Sequence, residues 1–155
     1  MKYSMQLSDA IHILVYIQLF EGSDWLSSEK IASSVETNPA NVRRIMSNLK
    51  RAHLILTQTG KAAPTLARAP EQISLLDVYR SIEGNTNLIQ VDPKTNPDCI
   101  VGANIQTVLG DCYASLQETV EAEMATITLD TLLRAVATEE IQKRPENAPL
   151  LKAYL

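Results

Sequence analysis

"TNPANVRRIMSNLKRAHLILTQTGKAAPTLAR", residues 37–68, holds six Lys or Arg and no Asp or Glu, in a chain of 155 residues whose formal net charge is -4. The six are Arg43, Arg44, Lys50, Arg51, Lys61 and Arg68, and the remaining eight basic and 18 acidic residues leave the rest of the chain at about -10. Such a division matters more than the net value, because a local field is what recruits a polyanion. The first half of the stretch reads as a helix. Asn38 stands where an N-cap belongs, and Pro39 takes the first helical position, where a missing N–H costs nothing. Val42, Ile45, Met46 and Leu49 form the inward stripe. The outward set is then Asn41, Arg43, Arg44, Ser47, Asn48, Lys50 and Arg51, all groups that can donate to phosphates or base edges, with Asn38, Asn41 and Ser47 the candidates for polar readout. From Leu54 the pattern changes to "LILTQT", a turn "GKAAP" and "TLAR", a small hairpin with Lys61 at its tip and Arg68 on the return strand.

Working outward, "LSDAIHILVYIQLFEG" predicts a helix capped by Ser8 with Ile11, Leu14, Val15 and Leu19 inward. "SSEKIASSV" predicts a short second helix presenting Ile31, Ala32 and Val35, and Trp25 before it is expected at the base of the hairpin or between helices. "SLLDVYRSIEG" predicts a fourth helix from a Ser74 cap to Gly84, followed by the loop "NTNLIQVDPKTNPD". Three helices and a hairpin, the third helix basic, is the winged helix-turn-helix order: a helix fits the DNA major groove while its inward stripe locks it to the other two. The alternatives are a solvated basic face, or a helix that binds an acidic partner protein. Against the first, the stretch lacks the acids that supply i,i+4 partners on ordinary solvated helices.

The second half has a different character. Apolar residues at 105, 108, 109, 112, 116, 120, 124 and 127 make a stripe sustained over more than three heptads, with Glu118, Glu121 and Glu123 off it. A helix from about 101 to 125 has too little domain around it to bury that stripe, so a partner helix is expected, with Ile105, Val108, Leu109, Cys112, Leu116 and Val120 as dimerisation residues. "TLDTLLRAV" predicts a last short helix behind Thr128, and residues 138–155 a polar tail with an apolar end. The expected organisation is a DNA-binding domain at 1–84, a linker loop at 85–100, the dimerisation helix and short helix at 101–137, and the tail. The fold class is mainly α with a small β-hairpin wing.

No apolar run approaches the roughly 20 residues that a membrane span needs, and the apolar stretch Ile11–Phe20 is broken by His12 and Gln18, so no membrane partner is expected and a cytoplasmic protein is. Two cysteines are too few for a disulfide framework. No phosphate loop, dinucleotide fingerprint, nucleophile elbow or metal motif is present, so no enzyme is expected. His12 and His53 stand alone, and Ser27, Ser28, Ser33 and Ser34 suit capping and a polar helix face.

"KIASSVETNPANVRRIMSNLKRAHLI", then "LAR", "ISLLDVYRSIEG" and "ITLDTLL", in that order, resemble the Rrf-two family of bacterial winged-helix regulators, the family of IscR and NsrR, over about residues 1 to 133. The resemblance implies a homodimer held by the long helix and a helix at 128–137 packed near the DNA-binding domain. It also implies a recognition helix and wing on a pseudo-palindromic operator of double-stranded DNA, most simply as a repressor. Two departures follow. Where relatives carry an Arg-Gly wing, this chain has Thr59, Gly60, Lys61, Ala62, Ala63, Pro64 and Thr65, so Lys61 is the candidate for the missing minor-groove cation. Cluster-binding members also place three close cysteines before the dimer helix, whereas this chain has only Cys99 there. One thiolate does not make a four-ligand site, so no iron-sulfur cofactor is expected. Cys112 is expected to be a buried structural thiol on the stripe. Cys99 is the candidate redox thiol, with Asp98 expected to raise its pKa. An unidentified small effector is expected in a cavity between the dimer helix and the DNA-binding domain.

Overall fold

The computed structural model describes residues 5–58 and 63–155. Helix α1 (Met5–Leu19) begins ahead of Ser8, which therefore lies inside the helix rather than capping it. Its Ala10, Ile13, Leu14 and Ile17 are fully buried and Val15 and Tyr16 nearly so, because α1 is enclosed by elements on several sides. A helix apolar almost all round has lost the usual contrast between faces, and with it the signal that would have marked its start.

Helix α2 (Ser28–Val35) is capped by Ser27, whose hydroxyl accepts the Lys30 N–H at 3.3 Å. It stops at Glu36, which adopts a left-handed φ of 58° and returns its N–H to the Ala32 carbonyl. That reversal aims the chain into α3 (Pro39–Arg51), where the Asn38 side chain accepts the Asn41 N–H at 2.8 Å and Pro39 opens the helix. Val42, Ile45 and Leu49 are fully buried, and Met46 packs at the edge of the same core. Strand β1 (Ile55–Leu56) pairs antiparallel with β2 (Thr65–Leu66), Ile55 opposite Leu66 and Leu56 opposite Thr65. Ile55 is buried and Leu56 exposed, the alternation expected of a strand with one face on the core. The wing tip with Lys61 lies outside the described residues.

Helix α4 (Leu75–Glu83) starts in a capping box: the Ser74 hydroxyl accepts the Asp77 N–H at 3.1 Å, and the Asp77 carboxylate accepts the Ser74 N–H at 2.9 Å. After the loop, α5 (Ile105–Thr126) begins later than 101, because residues 99–104 close in turns, with the Ala103 N–H on the Cys99 carbonyl at 2.8 Å. The Arg80–Glu121 ion pair, at 2.9 Å, ties α5 to α4. The chain then returns to the first domain. The Leu75 N–H donates to the Ile127 carbonyl and the Leu129 N–H to the Ile73 carbonyl, both at 2.8 Å.

Helix α6 (Leu129–Lys143), capped by Thr128, sends Leu129 and Leu133 into the core already formed by α1, α3 and β1, at roughly 1.5–3 kcal/mol for each side chain buried. It runs beyond the 128–137 expected, and residues 138–155, read from the sequence as a polar tail with an apolar end, are folded. A 3-10 turn (Pro145–Asn147), helix α7 (Ala148–Leu151) and a second turn (Lys152–Tyr154) follow it. Two contacts explain the ordering. Glu140 accepts hydrogen bonds from both Arg144 and Asn147, fastening the turn to α6. Gln18 donates to the Tyr154 hydroxyl at 3.1 Å while Leu151 is buried, fastening the end to α1.

Candidate nucleic-acid interface

The buried stripe of α3 fixes the opposite face in solvent, and Arg43, Arg44, Ser47, Lys50 and Arg51 are all exposed there. They are not equivalent. The Arg43 guanidinium donates from Nη2 to Glu29 Oε1 on α2 at 3.0 Å, so its charge is balanced by an acid from a neighbouring element. Arg44 donates to Asn41 Oδ1 at 2.7 Å and to Gln6 Oε1 on α1 at 3.2 Å, both neutral acceptors that orient it without cancelling its charge. Arg51 donates to Asn48 Oδ1, again a neutral partner. Lys50 makes no hydrogen bond or ion pair among the described residues.

The polar candidates divide in the same way. Asn38 spends its Oδ1 on the cap, and Asn41 is half-buried, donating from Nδ2 to Thr37 Oγ1 at 3.1 Å while accepting from Arg44. Both hold the N-terminal end of α3 in shape, whereas Ser47 remains open. Arg68 lies beyond β2 and turns toward α4, with Nη2 3.6 Å from the Asp77 carboxylate and Nη1 donating to the Gln72 carbonyl at 3.3 Å. The structure thus groups Arg43, Arg44, Ser47, Lys50 and Arg51 on one face and engages Arg68 elsewhere.

The lack of acids within 37–70 does not leave that segment without counter-charges, since Glu29 and Asp77 reach it from outside. Glu29 and Gln6 are the site residues that sequence reading missed. In sequence Glu29 is an ordinary first-turn acid favoured by the helix dipole, and nothing there says it meets a residue 14 positions later.

On α5 no residue is buried. Ile105, Val108, Leu116 and Val120 stand exposed along the stripe, with Leu109 half-buried. Cys112 is exposed on the same stripe of the single chain, so its burial, like that of Val108 and Leu116, would need a second helix over α5. Cys99 is also exposed, and its pKa is held below the usual thiol value by the backbone N–H groups of Gly102 and Val101 converging on its sulfur. The turn, not Asp98, sets the direction. A Cβ on Gly102 would fall 2.0 Å from the Asn96 carbonyl, so only glycine permits this close approach.

A cleft of about 1120 Å³ lies between α1 and α6 and is walled in part by the C-terminal segment. Its lining includes Val15, Phe20, Trp25, Val136 and Leu150. Trp25 is half exposed there, its ring 6.2 Å from Phe20 and 4.6 Å from the Lys30 ammonium. His12 at the cleft edge hydrogen-bonds Ser34 at 2.8 Å. Among the described residues no three His, Cys, Asp or Glu side chains converge as metal ligands, and no helix is long and apolar enough to cross a membrane.

The family model described as Rrf2, iron-dependent transcriptional regulator, matches residues 3–135. The chain belongs to the Rrf2 family. The chain is 40% identical over 128 residues to YwnA of Bacillus subtilis (strain 168), named as a candidate HTH-type transcriptional regulator, covering 83% of this chain and 94% of that one. A crystal structure of a candidate DNA-binding protein is similar to this Rrf2 chain with a TM-score of 0.67 and 38% identity, over 83% of this chain and 98% of that one. The T. potens IscR structure shares the fold, with a TM-score of 0.64 and 19% identity over 88% of each chain. The winged helix-turn-helix architecture and the membership in a family of transcriptional regulators expected from the sequence are thereby established. Among the described residues, neither cysteine belongs to a group of three His, Cys, Asp or Glu side chains that could hold the iron named in the family's description. Of the two cysteines, Cys99 points its sulfur at backbone N–H groups and Cys112 lies on the α5 stripe.

Proposed function

We propose that this Rrf2-family chain is a homodimeric, cytoplasmic, sequence-specific DNA-binding repressor, without enzymatic activity and without a resident iron-sulfur cluster. It places two copies of α3 in successive major grooves of a pseudo-palindromic operator, about 34 Å apart. The observation that carries this reading is the two-faced α3: Val42, Ile45 and Leu49 are fully buried, while Arg44, Ser47, Lys50 and Arg51 share its exposed side with no acid among the described residues paired to them. Retention on duplex DNA at low salt tests it. Arg44→Ala with Lys50→Ala should elute well before the wild type, and equal retention would favour a helix that binds an acidic protein instead.

The dimer rests on a second observation, the exposed apolar stripe from Ile105 to Val120 on a helix with no buried residue. Aligned apolar side chains at this spacing are what a partner helix covers. The sequence places a small effector between the dimer helix and the DNA-binding domain. The cleft with the volume of a ligand site lies instead between α1 and α6 beside Trp25, with no lining from α5 among the described residues; we propose this cleft as the effector site. Trp25 is the only tryptophan, so its fluorescence during a metabolite screen reports occupancy of that cleft.

A further inference from the structure

We infer that Glu29 is a positioning residue for DNA recognition: it holds the Arg43 guanidinium away from phosphate contact and commits it to reading a base edge. The inference rests on the DNA-binding reading and says what one side chain of that surface does. Glu29 Oε1 accepts from Arg43 Nη2 at 3.0 Å, from the first turn of α2 to the first half of α3, and both side chains are largely exposed (64% and 60%). An acid on this face is costly for a protein that only collects phosphates, because it cancels one cation and repels the backbone. Its presence is rational if Arg43 serves another end. A guanidinium has five N–H donors in a planar fork, so bonding one Nη2 hydrogen to a carboxylate leaves donors for the O6 and N7 acceptors of a guanine. The ion pair is nearly neutral as a unit and therefore gains little from the non-specific phosphate field. It keeps its hydrogen-bonding directions, and those carry sequence information.

The surroundings agree with that division of labour. Arg44 is oriented by the neutral Asn41 and Gln6, and Arg51 by the neutral Asn48, so these keep full charge for phosphates while Arg43 does not. A shallow depression of about 290 Å³ between α2, α3 and the wing, lined by Ser27, Ser28, Met46, Thr57 and Pro64, has Glu29 and Arg43 in its wall.

The test is Glu29→Gln, with Glu29→Asp and Arg43→Ala alongside, in fluorescence-anisotropy titrations of an operator recovered from a random DNA pool and of a scrambled duplex, over a salt series. Glu29→Gln frees Arg43 for phosphate. The scrambled duplex should then bind more tightly, the slope of log affinity against log salt should steepen by about 1.8 for a dimer, and operator preference should fall by about fivefold or more. Glu29→Asp should fall between wild type and Glu29→Gln, and in an Arg43→Ala background Glu29→Gln should leave operator preference unchanged. Unchanged slope and preference in Glu29→Gln, with wild-type binding intact, overturns the inference alone. Loss of preference that persists in the Arg43→Ala background also overturns it, because the effect then does not pass through Arg43. A wild type that binds no duplex overturns the DNA-binding reading itself.

Discussion

The salt dependence of DNA binding can be worked out from the pairing of individual cations. Counting every basic residue of α3 and the wing base gives Arg43, Arg44, Lys50, Arg51 and Arg68, five per chain. The structure reduces the count. Arg43 is balanced by Glu29 and Arg68 by Asp77, which leaves Arg44, Lys50 and Arg51, or about six phosphate-neutralising cations in a dimer. With each neutralised phosphate contributing about 0.9 to the slope, log affinity should fall with log salt at about -5.4. Raising salt from about 50 to 200 mM should then weaken binding by roughly a thousandfold or slightly more. If all five cations met phosphates, the slope would approach -9 and the loss would exceed about 10⁵-fold. The assay is anisotropy on a scrambled duplex with the Lys61→Ala variant as host, so that the wing tip does not enter the count. Lys50→Ala should lower the slope by about 1.8 for a dimer and weaken all sequences alike, whereas Arg43→Ala should scarcely change it. A slope near -9, or equal changes for Lys50→Ala and Arg43→Ala, would refute the reasoning that acids from α2 and α4 neutralise two of these cations.

Leu116→Glu, placing a charge in the exposed stripe of α5, should convert the dimer to a monomer at micromolar concentration by light scattering while leaving the far-ultraviolet helix signal intact; a wild type that is already monomeric sinks the dimer proposal. Leu133→Ala, at a fully buried position of α6, should cost about 2–5 kcal/mol in chemical unfolding, and a single transition that moves as a whole would show that α6 and the winged helix share one cooperative core. With Cys112 replaced by Ser, alkylation of Cys99 by iodoacetamide should titrate with a midpoint below that of free cysteine. Its lowered pKa raises the thiolate fraction at any pH beneath the ordinary thiol value, and a midpoint at or above free cysteine would remove the role given to the Val101 and Gly102 N–H groups. Asn38→Ala removes the α3 cap and should destabilise the fold by about 1 kcal/mol in the same unfolding assay.

What was legible in the sequence follows the range of the forces involved. The elements of the winged helix were readable because caps, a proline at the first turn and 3.6-residue periodicity act over a few residues, as Asn38, Pro39 and the Val42 to Leu49 stripe show. The start of α1 was misplaced because burial on several sides erased its polar face, so Ser8 looked like a boundary when the helix had already begun. The order of residues 138–155 depends on Gln18 meeting Tyr154 across 136 positions, and no local pattern carries that distance. Net charge per segment was legible, but charge per surface was not. Glu29 and Asp77 lie outside the basic block in sequence and against it in space.

This geometry also ties the proposed dimer helix to the recognition helix. Residues 127–129 leave α5 and at once pair with residues 73–75, whose Ser74 and Asp77 form the cap of α4. The same Asp77 takes the ion pair from Arg68 at the base of the wing. Leu129 then enters the core in which Ile45 and Leu49 seat α3. If α5 pairs with a second copy as proposed, a shift of α5 would reach α3 and the wing base by a short route, through the 2.8 Å backbone hydrogen bonds that join residues 127–129 to residues 73–75. Close-packed interiors transmit such displacements because they have little free volume to absorb them. On this argument an event that reorients the two α5 helices would change the spacing of the two α3 helices. Operator affinity would then respond to that spacing without any change in the side chains that touch DNA.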